Sequence, residues 1–202
     1  LKTVEQQNLS ANYGFFVGHG TLRACVMGGK TEKASPADIQ TMQKLLDESL
    51  SQGALGLALG LSMFPGSYAD TYELIELAKV VKKHDAIIVA HRRDEGNRAY
   101  EAIDEMLTVA RATGVRMNIA HIKVTGSSNW GKGKALLELI DAGLKEGLDL
   151  SLDAYPYIAG YTQLFQIFPI NVWGVGGEQM LKNFSVLISN CNFHNTFSFV
   201  VL

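Results

Sequence analysis

AIIVAHRRDEGN, residues 86–97, is an apolar run that stops on a histidine and turns at once into charge. Ile87, Ile88, Val89 and Ala90 have the composition of a buried strand, and His91 sits where burial ends. Thirty residues later RMNIAHIK, 116–123, repeats the form: an apolar run, then Ala, then His121. Between the two histidines lies NRAYEAIDEMLTVARATG, a helical pattern that closes on Gly114. Strand, helix and strand in about 30 residues is the size of one βα repeat.

The same pattern extends outward in both directions. GFFVG (14–18), GALGLALGL (53–61) and LDLSLDAY (148–155) are further runs of strand length. SPADIQTMQKLLDESLSQG opens with Ser35 as N-cap and Pro36 at the first helical position, and it closes at Gly53. DTYELIELAKVVKKH starts at Asp70, and GKALLELIDAGLKEG ends at Gly147. The expectation is an α/β fold of about five parallel strands with four crossover helices. Two architectures accommodate it, a (β/α)8 barrel and an open doubly wound sheet. Five strands are too few to close the barrel, so a TIM-type barrel would be incomplete.

Composition narrows the classes. Of 202 residues 47% are hydrophobic and 19% charged, which is globular, and the net charge of −2 gives no basis for binding nucleic acid or an anionic membrane. No apolar run is long enough to span a bilayer and no signal peptide opens the chain. Cys25 and Cys191 make no disulfide framework, so a reducing cytoplasm is expected. The chain starts at Leu1 rather than Met, as expected of a fragment. Residues 1–182 read as the central part of one barrel. Residues 183–202, NFSVLISNCNFHNTFSFVVL, carry no charge, break the repeat and read as an atypical tail.

In parallel α/β folds the chemistry lies at the carboxyl ends of the strands. His91 and His121, one repeat apart, would stand at one height on adjacent strands about 4.8 Å apart, within reach of one metal ion. A lone histidine at a strand end is better read as a locally hydrogen-bonded polar residue; the matched pair favours a metal. His84 suits the carboxyl end of its helix, and His19, flanked by glycines, reads as a loop residue. Two-residue periodicity puts Lys123 on the face of His121, and Asp153, Tyr155 and Tyr157 on a common face. Asp153 reads equally as a structural anchor, and Tyr155 and Tyr157 equally as packing residues. GSSNWGKG (126–133) approaches the phosphate-loop pattern, but Gly133 stands where a hydroxyl residue is required.

Taken in order, VGHGTLR, GALGLALGL, PGSYADTYEL, AHRRDEG, IAHIK, NWGK and DAYPYIAG resemble the N-acyl-D-amino-acid deacylases, the D-aminoacylase branch of the amidohydrolase superfamily. The resemblance runs from about Asn12 to about Lys182 and takes in PINVWGVGG (169–177). It implies a distorted barrel, a Zn2+ cofactor and hydrolysis of a small N-acyl-D-amino acid to a carboxylate and a D-amino acid. It places the metal ligands on His91 and His121 and a substrate contact on Lys123; Tyr155, from its face in DAYPY, is the further substrate-binding candidate. It also implies parts not found here: a first-strand H-x-H, a metal-binding cysteine that Cys25 does not match, and a general-base aspartate that Asp153 does not match. Met63 and Phe64 replace a Tyr-Pro pair, and Arg92 stands where Met is usual. The chain alone is therefore expected to be inactive, and its open barrel edges to invite self-association. The alternatives are an inactive remnant with a binding or scaffold role and, less favoured, a phosphate-loop nucleotide binder.

Overall fold

A computed structural model of the chain describes residues 6–7, 9–160 and 182. Five strands alternate with helices: β1 (Val17–Gly18), α1 (His19–Met27), α2 (Pro36–Ser51), β2 (Gly56–Gly60), α3 (Thr71–Lys83), β3 (Ile87–His91), α4 (Ala99–Thr113), β4 (Arg116–Ile119), α5 (Gly133–Lys145) and β5 (Leu150–Leu152). All pairings are parallel, and the strands lie in the sheet in chain order, β1 to β5. A doubly wound sheet reverses its order at a switch point, and no reversal occurs here. Each helix packs on the next, α1 on α2 through to α5, in a single layer. The architecture is an arc of a (β/α)8 barrel.

Local chemistry sets the boundaries. Ser35 Oγ accepts the Asp38 backbone N–H at 3.2 Å while Asp38 Oδ2 accepts that of Ser35 at 3.0 Å, a reciprocal cap for α2. Asp70 accepts the Glu73 N–H at 3.0 Å and starts α3. Gly114 ends α4 at φ +62, a conformation a side chain would disfavour.

Alternation then sorts each strand. Leu57, Leu59, Ile88, Ala90, Met117 and Ile119 are fully buried against Met42, Leu46, Leu77, Ile103 and Met106 of the helices. The opposite face, with Ile87, Val89, His91 and Asn118, is half-buried. That face would line the barrel interior, and it carries the site.

The sequence expectation needs correction in two places. Two α-helices, not one, connect β1 to β2, so the four crossovers carry five α-helices among the described residues. His19, expected in a loop, begins α1 and is fully buried. Its Nε2 lies 2.7 Å from Glu73 Oε1, and Arg23, one turn on, pairs with Glu73 Oε2. A buried carboxylate between two cation-capable side chains thus ties α1 to α3. Glycine flanks hid this helix; the four-residue spacing of His19 and Arg23 was the available signal. Among the described residues no helix is long and apolar enough to cross a membrane. The tail 183–202 lies outside the described residues.

Candidate metal centre

His91 ends β3 in register with Gly60 of β2. His121 follows β4 by two residues, in a turn. The rings approach edge to face, with centroids 4.6 Å apart and His91 Nδ1 2.8 Å from His121 Nε2. The pair meets at the carboxyl edge of the sheet, as the one-repeat spacing requires. Burial, joined by the positive surroundings of His121, Lys123 and Arg92, outweighs Glu95 and holds His91 below the ordinary imidazole range. A neutral imidazole is the ligating form.

His121 reaches this position at a backbone cost. Its φ of +39 lies in the left-handed region that residues with side chains rarely adopt. Asp153 holds it there: Oδ1 accepts the His121 N–H at 2.6 Å, and the Asp153 carbonyl accepts that of Ile122 at 2.8 Å. Asp153 is therefore an anchor between β5 and the His121 turn. Strain concentrated on one residue at a functional site is a common device for aiming a side chain.

Glu95 completes the cluster. Its carboxylate lies 2.8 Å from His121 Nδ1 through Oε1 and 2.7 Å from Lys123 Nζ through Oε2. Arg92 Nη2 donates to Oε1 at 3.3 Å and to the Lys123 carbonyl at 3.3 Å. Burial would raise the Glu95 carboxyl, but Lys123, Arg92 and His121 together pull it below its ordinary range. His91, Glu95 and His121 each bring one ligand-type atom within 4.8 Å of the others. Sequence reasoning missed Glu95 because residues 92–98 follow no helical or strand period. The available signal was a carboxylate four residues after the strand-end histidine.

Lys123 joins His121 as expected, but not through strand alternation, since β4 stops at Ile119. The turn brings Lys123 Nζ to 3.0 Å from His121 Nδ1 and 5.2 Å from the centre of the Tyr155 ring. Tyr155 stacks on Tyr157, with centroids 4.7 Å apart. Arg93 braces the rim: it donates to the carbonyls of Ser67 and Ala69 at 2.8 and 2.9 Å and pairs with Glu105. The loop that resembled a phosphate cradle is occupied by its own contacts, with Lys132 Nζ on Asn129 Oδ1 at 2.6 Å. His84 caps α3 and lies 2.8 Å from Asp47, away from this cluster's contacts.

No family model matches the chain. Individual proteins do. A D-aminoacylase of Alcaligenes xylosoxydans xylosoxydans is 38% identical over 157 residues, which are 78% of this chain and 32% of that protein. The crystal structure of an N-acyl-D-glutamate deacylase from Bordetella bronchiseptica, complexed with zinc and a phosphonate inhibitor, superposes with a TM-score of 0.75 at 32% identity. It covers 78% of this chain and 33% of that one. A D-aminoacylase structure described as defining a novel subset of amidohydrolases gives 0.71 at 40% identity, over 75% of this chain and 32% of the other. The chain thus spans about one third of the length of the relatives it matches. Its sequence and its five-stranded arc agree in the same segment, and the chain belongs to the N-acyl-D-amino-acid deacylase (D-aminoacylase) family of the amidohydrolases.

Proposed function

We propose that this chain supplies part of the metal centre and the substrate-carboxylate contact of a zinc-dependent enzyme that hydrolyses the amide of small N-acyl-D-amino acids. The observation that carries the reading is the facing pair of ring nitrogens on His91 and His121, 2.8 Å apart at the carboxyl edge of adjacent strands. The donors fit a divalent transition metal: two imidazoles, one held neutral, with a carboxylate close behind the second ring. Held by His91 and His121, such an ion would supply Lewis-acid polarisation of an amide carbonyl and activation of water near neutral pH.

The remaining steps fall to the chain's own residues. Asp153 and the left-handed turn fix the His121 backbone. Lys123, two residues beyond His121, offers an ammonium to the carboxylate of the substrate, and the Tyr155 ring beside it flanks that position. The general-base aspartate is not among these residues. Two imidazoles are fewer than the three protein ligands usual in catalytic zinc sites, so the chain by itself is expected to be inactive. Exposed Leu137, Leu139, Leu144 and Leu152 along α5 and β5 support the reading that further structure, or a second copy, covers this edge. Composition and the free, exposed Cys25 favour the cytoplasm.

The test is a chimera. Residues 12–160 replace the matching segment of the Alcaligenes D-aminoacylase, and the product is assayed against paired N-acetyl-D- and N-acetyl-L-amino acids. D-selective hydrolysis that disappears in the His91→Ala/His121→Ala version is the expected result. Equal activity in the alanine version refutes the proposed role of the pair.

A further inference from the structure

We propose that Glu95 is a positioning residue of this centre rather than one of its ligands: its carboxylate selects the His121 tautomer that leaves Nε2 open to the ion. The inference rests on the metal reading above. The two nitrogens of an imidazole point away from each other, so one ion engages only one of them. His121 Nε2 faces His91 Nδ1 at 2.8 Å, while His121 Nδ1 lies 2.8 Å from Glu95 Oε1. An ion shared by the two histidines therefore meets Nε2, and Glu95 stands at the other nitrogen. With Nε2 engaged, the ring proton sits on Nδ1, and the Glu95 carboxylate 2.8 Å away is the anion that favours it there.

Glu95 is itself held for this task. Arg92, wholly buried, donates to Oε1 at 3.3 Å, and Lys123 Nζ lies 2.7 Å from Oε2. Both oxygens are engaged by the chain's own groups before any ion arrives. Lys123 also donates to His121 Nδ1 at 3.0 Å, which requires the opposite tautomer with Nδ1 bare. Nδ1 is thus contested between an ammonium and a carboxylate. Ion loading on Nε2 decides for the carboxylate and releases Lys123 from the ring. Through one imidazole, metal loading is coupled to the availability of Lys123 for a substrate carboxylate.

The 202-residue chain, labelled with 15N, is titrated with Zn2+ while two-bond proton–nitrogen correlations report the His121 tautomer. Zinc affinity is measured in parallel by competition with a chromophoric chelator. The expected result is Nε2 engaged and Nδ1 protonated. Glu95→Gln, and Glu95→Asp, which keeps an anion beside buried Arg92, each bind zinc about 10–100-fold more weakly with unchanged stoichiometry. His121→Ala abolishes the site. Engagement of Nδ1 overturns the proposal. So does a Glu95→Gln loss equal to that of His121→Ala, which would make Glu95 a ligand, or unchanged affinity in both Glu95 variants. Zinc binding that needs His121 but ignores Glu95 overturns the role of Glu95 alone. Absence of zinc binding by the unaltered chain overturns the metal reading and this inference together.

Discussion

Replacing Arg92 with Met should stabilise the chain, although it deletes a buried cation beside a carboxylate. Arg92 is fully buried, and its Nε and Nη1 have no hydrogen-bond partner. Burial lowers its pKa, and the nearby Glu95 and Asp94 only partly compensate. Each buried donor left unpaired costs about 1–3 kcal/mol, so two such nitrogens cost about 2–6 kcal/mol. Against this stand two contacts through Nη2, to Glu95 and to the Lys123 carbonyl, both long at 3.3 Å. Together these contribute about 1–3 kcal/mol. Methionine has similar reach, no polar hydrogens and the flexibility to fill the space. Glu95 keeps Lys123 and His121 as partners, so it is not stranded. The balance is a gain of about 2 kcal/mol. With a urea dependence of about 2 kcal/mol per molar, the unfolding midpoint should rise by about 1 M, read by far-ultraviolet circular dichroism. A midpoint that falls would refute the reasoning, because it would mean the guanidinium is better satisfied than its contacts indicate.

Three further outcomes follow from single positions. Gly56→Ala places a Cβ 1.9 Å from the Ile87 carbonyl oxygen, so β2 and β3 must separate; a loss above about 3 kcal/mol is expected in the same urea experiment, and a loss under 1 kcal/mol would contradict the register. Asp70→Ala removes the α3 cap at a cost of about 1 kcal/mol at neutral pH. Burial raises the Asp70 pKa, but the Glu73 N–H and Lys33 outweigh it, so the folded value lies below the unfolded one. The cap's ionic contribution is therefore full above about pH 4 and is lost as pH falls through the lowered value; a gap between Asp70→Ala and the unaltered chain that widens in acid would contradict this. In the chimera, Lys123→Ala should cost about 1.5–3 kcal/mol in kcat/KM for substrates with a free carboxylate, and unchanged kinetics would remove Lys123 from the site.

The repeat made the fold and the histidine pair legible, because parallel βα units impose both a hydrophobic period and a common height at strand ends. The adjacency of His91 and His121 follows from that common height alone. Lys123 does lie beside His121, but two-residue alternation is not the reason: β4 ends at Ile119, where the chain leaves the sheet and His121 sits in a left-handed turn. Glu95 and the clamp by Arg92 were not legible, because the 92–98 loop has no period and its contacts are set by tertiary approach of the β4 turn. The α1 helix was missed because its short buried face mixes Leu22 and Met27 with His19 and Arg23, which meet Glu73 of α3, and polar residues at buried positions break the hydrophobic period.

The most direct measurement of the shared ion is an anomalous difference map at the zinc edge, from crystals of the unaltered chain soaked in Zn2+. One peak per chain, bonded to His91 Nδ1 and His121 Nε2 with Glu95 on the far side of the His121 ring, is the expected result. A peak elsewhere, or none between these two nitrogens at saturating zinc, would contradict the metal centre.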